Sequence, residues 1–211
     1  RNPATGALME PYTFATREAL RRQVDRAESA LGSWRRRSVK DRVEALSDLA
    51  EKLLQEKDRL EGVGAPEMGK PLAQARREIE KCAVLVRHYT KEAESALAPE
   101  RIETALAESF VSYQPLGLIL AIMPWNFPFW QAMRATVPAL LAGNGVLLKH
   151  APNVPGCAAA IEELINATGI ESGAFQVMRA AIEDVPTLIE DFRVRAVCLT
   201  GSARAGREVA S

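Results

Sequence analysis

A side-chain amide held in a rigid turn can donate to an oxygen that gains negative charge. Pro124-Trp125-Asn126-Phe127-Pro128 supplies such a turn with Asn126 at its apex. Proline cannot donate to a sheet ladder and suits the first turn of a helix, so the chain bends sharply here. An Asx-turn, in which the amide only closes local backbone, is the structural alternative. Farther on, Thr200-Gly201-Ser202-Ala203-Arg204-Ala205-Gly206 follows an apolar run and opens a helix, placing bare N–H groups and hydroxyls at a positive helix terminus that can hold phosphate. It is neither G-x-G-x-x-G nor a Walker sequence, and an ordinary helix cap would use the same residues. Arg134 lies eight residues after Asn126, so both can point to roughly the same side of a helix. Its planar fork suits a carboxylate, although a helix-surface arginine needs no ligand. Lys149 ends an apolar run, where a strand-terminal lysine is usually just solvated.

These residues need a scaffold that brings them to one edge. Gly117 to Met123 is a short apolar run that reads as a strand buried on both faces. A helix from Phe129 to Leu141 follows, stopped by Gly143-Asn144-Gly145, and then a strand from Val146 to Leu148. Further strands centre near Val177 and Val197, with helices over 155–167 and 185–191 between them. Strands alternating with helices make this an α/β protein with a doubly wound, Rossmann-like parallel sheet, whose carboxyl edge binds ligands.

The first hundred residues read as helical. Thr16 caps a helix with Leu20, Val24, Ala27 and Leu31 on one face, ended by Gly32. Ser38 and Asp41 form a capping box, and one apolar stripe continues from Val39 through Leu60. Arg35-Arg36-Arg37 reads as a solvated junction. Gly62-Val63-Gly64-Ala65-Pro66 reads as a loop, and Pro71 opens a helix burying Leu72, Ala75, Ile79, Cys82, Val86, Tyr89 and Ala93. Arg101 to Glu108 is strand or frayed helix, and Ser109 to Gln114 alternates like a solvated or edge strand. The expected organisation is a helical part over 1–100, a solvated or edge strand segment over 101–115 and the βα core over 116–211.

Composition excludes several classes. Lys+Arg and Asp+Glu are both 27 in 211 residues, which gives no electrostatic case for nucleic acid or an anionic membrane. The three cysteines have no metal-ligand spacing, so no metal is expected, and they point to a reducing, cytoplasmic compartment. No long apolar run predicts a membrane span. The chain begins at Arg1 rather than Met, which leaves room for a removed targeting segment.

PWNFP, the following ALLAGNGVLLKHAPNVP and the later TGSARAG resemble the aldehyde dehydrogenase superfamily in order and approximate spacing. LAIMPWNFPFWQ and LLKHAPNV are most similar to its succinate-semialdehyde dehydrogenase branch. The resemblance runs from Asn2 to the end and matches only the amino-terminal half of such an enzyme. It implies oxidation of a small aldehyde, a semialdehyde acid such as succinate semialdehyde, with NAD or NADP, in a homo-oligomer (dimer or tetramer), and that the strand segment over 101–115 is a bridging one. By the same resemblance Asn126 stabilises the oxyanion, Met123, Pro124 and Trp125 line the nicotinamide side, and Arg134 holds the substrate carboxylate. Lys149 meets the adenosine ribose with Ala151 and Pro152 close by, and Thr200, Gly201 and Ser202 meet the pyrophosphate. Pro152 stands where many NAD-preferring members carry a glutamate, so NADP becomes tolerable. His150 reads as a surface residue, and Met178 to Ile182 departs from the family's Gly-rich turn near the adenine. The family's cysteine nucleophile and glutamate base belong to its second half. Cys82, Cys157 and Cys198 sit in two helices and a buried strand, so the 211 residues alone are expected to be inactive. The surface on which a second half docks would be apolar and prone to self-association. The rival class is a noncatalytic dinucleotide-binding or interaction fragment.

Overall fold

The computed structural model describes residues 1–9, 12–105 and 108–210. Four parallel strands make the sheet: β3 (Leu118–Met123), β4 (Gly145–His150), β5 (Phe175–Val177) and β6 (Val194–Leu199). Their order is β5-β4-β3-β6. The chain therefore starts at β3, steps outward to β4 and β5, and jumps back to the other flank of β3. The reversal lies between β3 and β6, and in open α/β sheets ligands bind beyond the carboxyl ends at that reversal.

Alternation along the strands shows why both faces are covered. Leu118, Leu120 and Leu147 point to one face, where they meet Leu20, Val24, Ala27 and Leu31 of α1 (Arg17–Trp34) and Leu188 of α8 (Val185–Ile189). Ala121, Met123, Val146 and Leu148 point to the other face. There they meet α5 (Leu72–Ala96), α6 (Pro128–Leu141) and α7 (Pro155–Asn166). The expected doubly wound architecture is present, with α1 drawn from the helical region to cover one face.

That helical region also completes helices that carry no cap of their own. The residues before α6 and α7, Phe127 and Val154, make no side-chain cap. The missing acceptors arrive from elsewhere as buried carboxylates. Glu78 of α5 accepts from the Trp130 N–H at 3.0 Å. Glu67 of α4 (Lys57–Met68) accepts from Gly156 at 2.6 Å and Cys157 at 2.9 Å. At the far end of α6, the Trp34 indole donates to Leu140 O at 3.1 Å and Arg42 Nε to Leu141 O at 2.8 Å. Negative charge at the first turn and positive charge at the last both oppose the helix dipole.

Several expectations need correction. Gly32 does not end α1, which runs on to Trp34 because that indole anchors the last turn in the core. The stripe from Val39 to Leu60 is broken into α2 (Val39–Leu46), α3 (Leu49–Gln55) and the start of α4. Gly62 to Pro66 is not a loop. It lies inside α4, and Gly64 is there for close approach, since a Cβ would stand 3.3 Å from the Phe129 ring. The chain turns instead at Gly69, with φ +66°. Leu72 is exposed because it precedes the part of α5 that packs. Arg37 is not simply solvated: it donates to Gly169 O at 2.9 Å, pairs with Glu171 at 3.1 Å and lies over the Trp34 ring.

The capping box of Ser38 and Asp41 and the cap at Thr16 are present. Asn144 does more than stop α6. Its Oδ1 accepts from Leu116 and Gly117 N–H and its Nδ2 donates to Ala139 O, so it fastens the entry of β3 to the exit of α6. In the segment expected to bridge, β1 (Glu100–Arg101) and β2 (Phe110–Val111) pair as an exposed antiparallel ladder among the described residues. Leu106 and Ala107, part of that expectation, lie outside the described residues.

Candidate active site

Parallel pairing of β3 with both β4 and β6 brings their carboxyl ends to one edge of the sheet. Three candidates emerge there: the Asn126 turn after β3, Lys149 near the end of β4, and Thr200-Gly201-Ser202 after β6. The first and third flank the reversal between β3 and β6.

At the turn, Asn126 is exposed and its Oδ1 accepts from the Phe127 N–H at 3.1 Å. That contact holds the acceptor side of the amide, and Nδ2 makes no hydrogen bond among the described residues. No second-residue backbone bond of the Asx-turn kind is made among the described residues. Trp125 and Phe127 are half exposed, Pro124 is partly buried, and Met123 is buried in the core beneath them, so its side chain supports the turn from below. A groove bounded by Gln74, Lys81, Phe127, Trp130 and Gln131 opens beside the turn, with the Lys81 ammonium 3.7 Å over the Trp130 ring.

Arg134 reaches across the reversal. Its Nη2 lies 3.4 Å from Thr200 Oγ1, so the guanidinium stands over the β6 turn, with no ion pair among the described residues. In that turn Ser202 Oγ accepts from Ala205 N–H at 3.2 Å, and Gly201 is exposed. Ser202 therefore caps α9 (Ala203–Ala210), and the first N–H groups of that helix face the same edge.

Lys149 is mostly buried, which lowers its ammonium pKa, and no carboxylate pairs with it among the described residues. A desolvated cation without a counter-charge suits a polyhydroxy or anionic ligand better than solvent does. Pro152, three residues on, is exposed, and Ala151 between them is partly buried. A cation unpaired among the described residues at the end of β4 and a hydroxyl-bearing turn leading into α9 are donors of the kind that ribose and phosphate oxygens accept, so the residues present fit NAD or NADP.

His150 is not a surface residue. It is buried, its Nδ1 accepts from Ala151 N–H at 2.9 Å, and its Nε2–H donates to Pro128 O at 3.0 Å. It faces the α6 entry rather than the ligand edge. Burial, reinforced by the neighbouring Lys149, lowers its pKa to about 4. The unfolded imidazole titrates near 6.5, so this group's stability is complete above about pH 6.5 and is lost as pH falls towards 4. By about pH 4.5 the loss amounts to ~2–3 kcal/mol. Urea denaturation at both ends of that window should show a steeper acid loss for the native chain than for His150→Gln.

The cysteines divide. Cys82 and Cys157 are buried, and desolvation, with the carboxylates Glu78 and Glu67 respectively, pushes their thiols up and away from thiolate chemistry. Cys198, expected in a buried strand, is exposed, in a strand none of whose residues is buried. Sequence reading also missed Lys70, Glu78 and His150 around the turn. Glu78 carried a signal, since it shares the apolar face of α5 with Ala75, Ile79 and Cys82, where a carboxylate needs a partner.

Among the described residues no cluster of His, Cys, Asp and Glu is placed to hold a metal, and no helix is long and apolar enough to cross a membrane.

The strand order and its reversal define the class: a Rossmann-like, doubly wound α/β fold with a ligand edge at the β3–β6 junction. Residues 1–211 match the aldehyde dehydrogenase family, and the chain belongs to it. It is 42% identical over 210 residues to a probable NADP(+) succinate-semialdehyde dehydrogenase of Synechocystis sp., covering 100% of this chain and 46% of that protein. It is 39% identical over 208 residues to the NAD(P)+ succinate semialdehyde dehydrogenase Sad of Escherichia coli, covering 99% and 45%. The crystal structure of succinic semialdehyde dehydrogenase from Streptococcus pyogenes with NADP+ superposes with a TM-score of 0.95 at 32% identity, covering 99% of this chain and 46% of that one. The chain spans about half the length of the curated relatives it matches.

Proposed function

We propose that these residues are the cofactor-holding and oxyanion-stabilising part of an NAD(P)-dependent aldehyde dehydrogenase that oxidises a semialdehyde acid, with succinate semialdehyde as the first substrate to test. The observation that carries this reading is the Asn126 turn: an amide held at its acceptor, with its donors unengaged among the described residues, at the sheet reversal, two residues before the start of the helix that carries Arg134. A bound nicotinamide would supply the hydride acceptor for this oxidation. Lys149 would hold the adenosine ribose, with Ala151 and Pro152 beside it. Thr200, Gly201 and Ser202 would meet the pyrophosphate, and Pro124 and Trp125 the nicotinamide side. Asn126 would donate to the oxygen on which charge develops. Pro152 offers no carboxylate to repel a 2′-phosphate, in keeping with the NADP(+) and NAD(P)+ named for the two curated relatives.

The test is turnover of the full-length protein on succinate semialdehyde with each cofactor. Arg134→Ala should raise KM about ten- to a hundredfold, the value of a charge-assisted contact to a carboxylate. An unchanged KM removes Arg134 from the substrate site. The 211 residues alone should give no turnover, because two of their thiols are buried with raised pKa and the third lies within an edge strand.

That same observation favours the second reading, a noncatalytic dinucleotide-binding fragment. Binding of NADP without turnover by the full-length protein would select it. For the segment over 101–115 we infer a bridging role: Ile102, Phe110, Val111 and Tyr113 form an exposed apolar ladder suited to pairing with a second copy of the chain.

A further inference from the structure

Three contacts converge on the four residues that follow Asn126. From α5, the Glu78 carboxylate accepts from the Trp130 N–H at 3.0 Å. Lys70 pairs with that carboxylate and places its ammonium 5.0 Å over the Phe127 ring. Both partners are largely buried, with side-chain exposures of 2% for Glu78 and 11% for Lys70. From the end of β4, His150 Nε2–H donates to Pro128 O at 3.0 Å. The segment is thus fastened at a ring, a carbonyl and an amide, from the helical layer on one side and from the sheet on the other. Phe127, between them, is also the residue whose N–H orients Asn126 Oδ1.

Each contact is stronger than a generic turn requires. A buried carboxylate with a neutralising lysine is expensive to keep, and removing either partner leaves a charge stranded. The imidazole has one tautomer open to it, because Ala151 N–H donates to Nδ1 and the Pro128 carbonyl can only accept. Burial keeps it neutral down to about pH 4, so that donor is constant over the working range. An oxyanion donor is effective only when aimed before the charge appears, and the surrounding shell does the aiming.

We propose that Glu78, through Lys70, and His150 are positioning residues that hold the Asn126 amide in its donor geometry. This rests on the oxyanion role given to Asn126 above.

In the full-length protein, His150→Leu and Glu78→Gln should each lower kcat about tenfold with KM within about twofold, while His150→Gln, which keeps an N–H donor at the Nε2 position, restores most of the rate. On an Asn126→Ala background the same substitutions should lower kcat no further, although they still lower the melting temperature, because they act through an amide that is no longer there. A merely structural role would give the same loss on both backgrounds, and that result overturns the proposal. Hydrogen exchange supplies a readout independent of aldehyde turnover. The peptide spanning residues 125–131 should exchange at least about tenfold faster in His150→Leu and in Glu78→Gln than in the native protein, with distant peptides unchanged. Faster exchange in a protein without turnover would sink the oxyanion reading while retaining the anchoring; unchanged exchange would sink the anchoring itself.

Discussion

Asn126→Ala in the full-length protein is expected to lower kcat on succinate semialdehyde about a hundred- to a thousandfold, the usual consequence of removing one preorganised oxyanion donor. The size follows from where the amide sits. Its Oδ1 is already held by the Phe127 N–H, so no reorganisation is needed to present Nδ2. The turn is closed at both sides by proline, with Pro128 fastened through its carbonyl to His150. NADP affinity, read by fluorescence titration, should change less than about twofold, since Lys149 lies on β4 and the Thr200–Ser202 turn follows β6. KM should move little, because the interaction is made chiefly in the transition state. Asn126→Asp should be at least as damaging, as a carboxylate opposes a developing oxyanion. If kcat of Asn126→Ala stayed within about fivefold of native, the amide would be a structural feature of the turn and the site would lie elsewhere.

The strands of the sheet were legible because each is a short apolar run bounded by proline, glycine or charge, and α6 because Pro128 opens it and Gly143 closes it. Burial was harder to read. Cys198 and Leu199 look like core residues in the sequence, yet no residue of β6 is buried while the opposite edge strand, β5, is buried throughout, and what covers a strand is a three-dimensional fact. Gly62 to Pro66 has the composition of a loop. Helix packing overrode it, because Gly64 admits the Phe129 ring and Pro66 is tolerated within the helix that results.

The candidate site shows the same division. Asn126, Lys149 and Ser202 were recognisable from their neighbours in the chain, but their supports were not, since Glu78 and His150 reach the turn from 52 and 22 residues away. What the sequence did carry was an absence. Phe127 and Val154 stand where a helix normally places Ser, Thr, Asp or Asn, which signals that acceptors must come from another element.

The same logic at the other end of α6 makes Trp34 the side chain whose loss should most affect stability. Trp34→Ala is expected to lower the unfolding free energy by about 3–5 kcal/mol, the range for a fully buried large aromatic. Trp34 is 0% exposed and ties α1, which covers one face of the sheet, to α6, which covers the other. Its indole also donates to the Leu140 carbonyl, which accepts from the Gly143 N–H at 2.9 Å as well, so truncation leaves a cavity and removes one of that carbonyl's donors. Trp34→Phe keeps most of the volume and loses the donor, so it should lie nearer ~1–2 kcal/mol. Urea titration of the two variants separates the terms: the difference between them reports packing, and the loss in Trp34→Phe reports mainly the cap. Arg42, which donates to the next carbonyl, cannot compensate, because its Nε is already committed to Leu141 at 2.8 Å. In the full-length protein, kcat of folded Trp34→Ala should stay near native, since the cap lies at the far end of α6 from Asn126. A loss of kcat matching that of Asn126→Ala would mean that α6 moves as one body and that its two ends are not independently fastened.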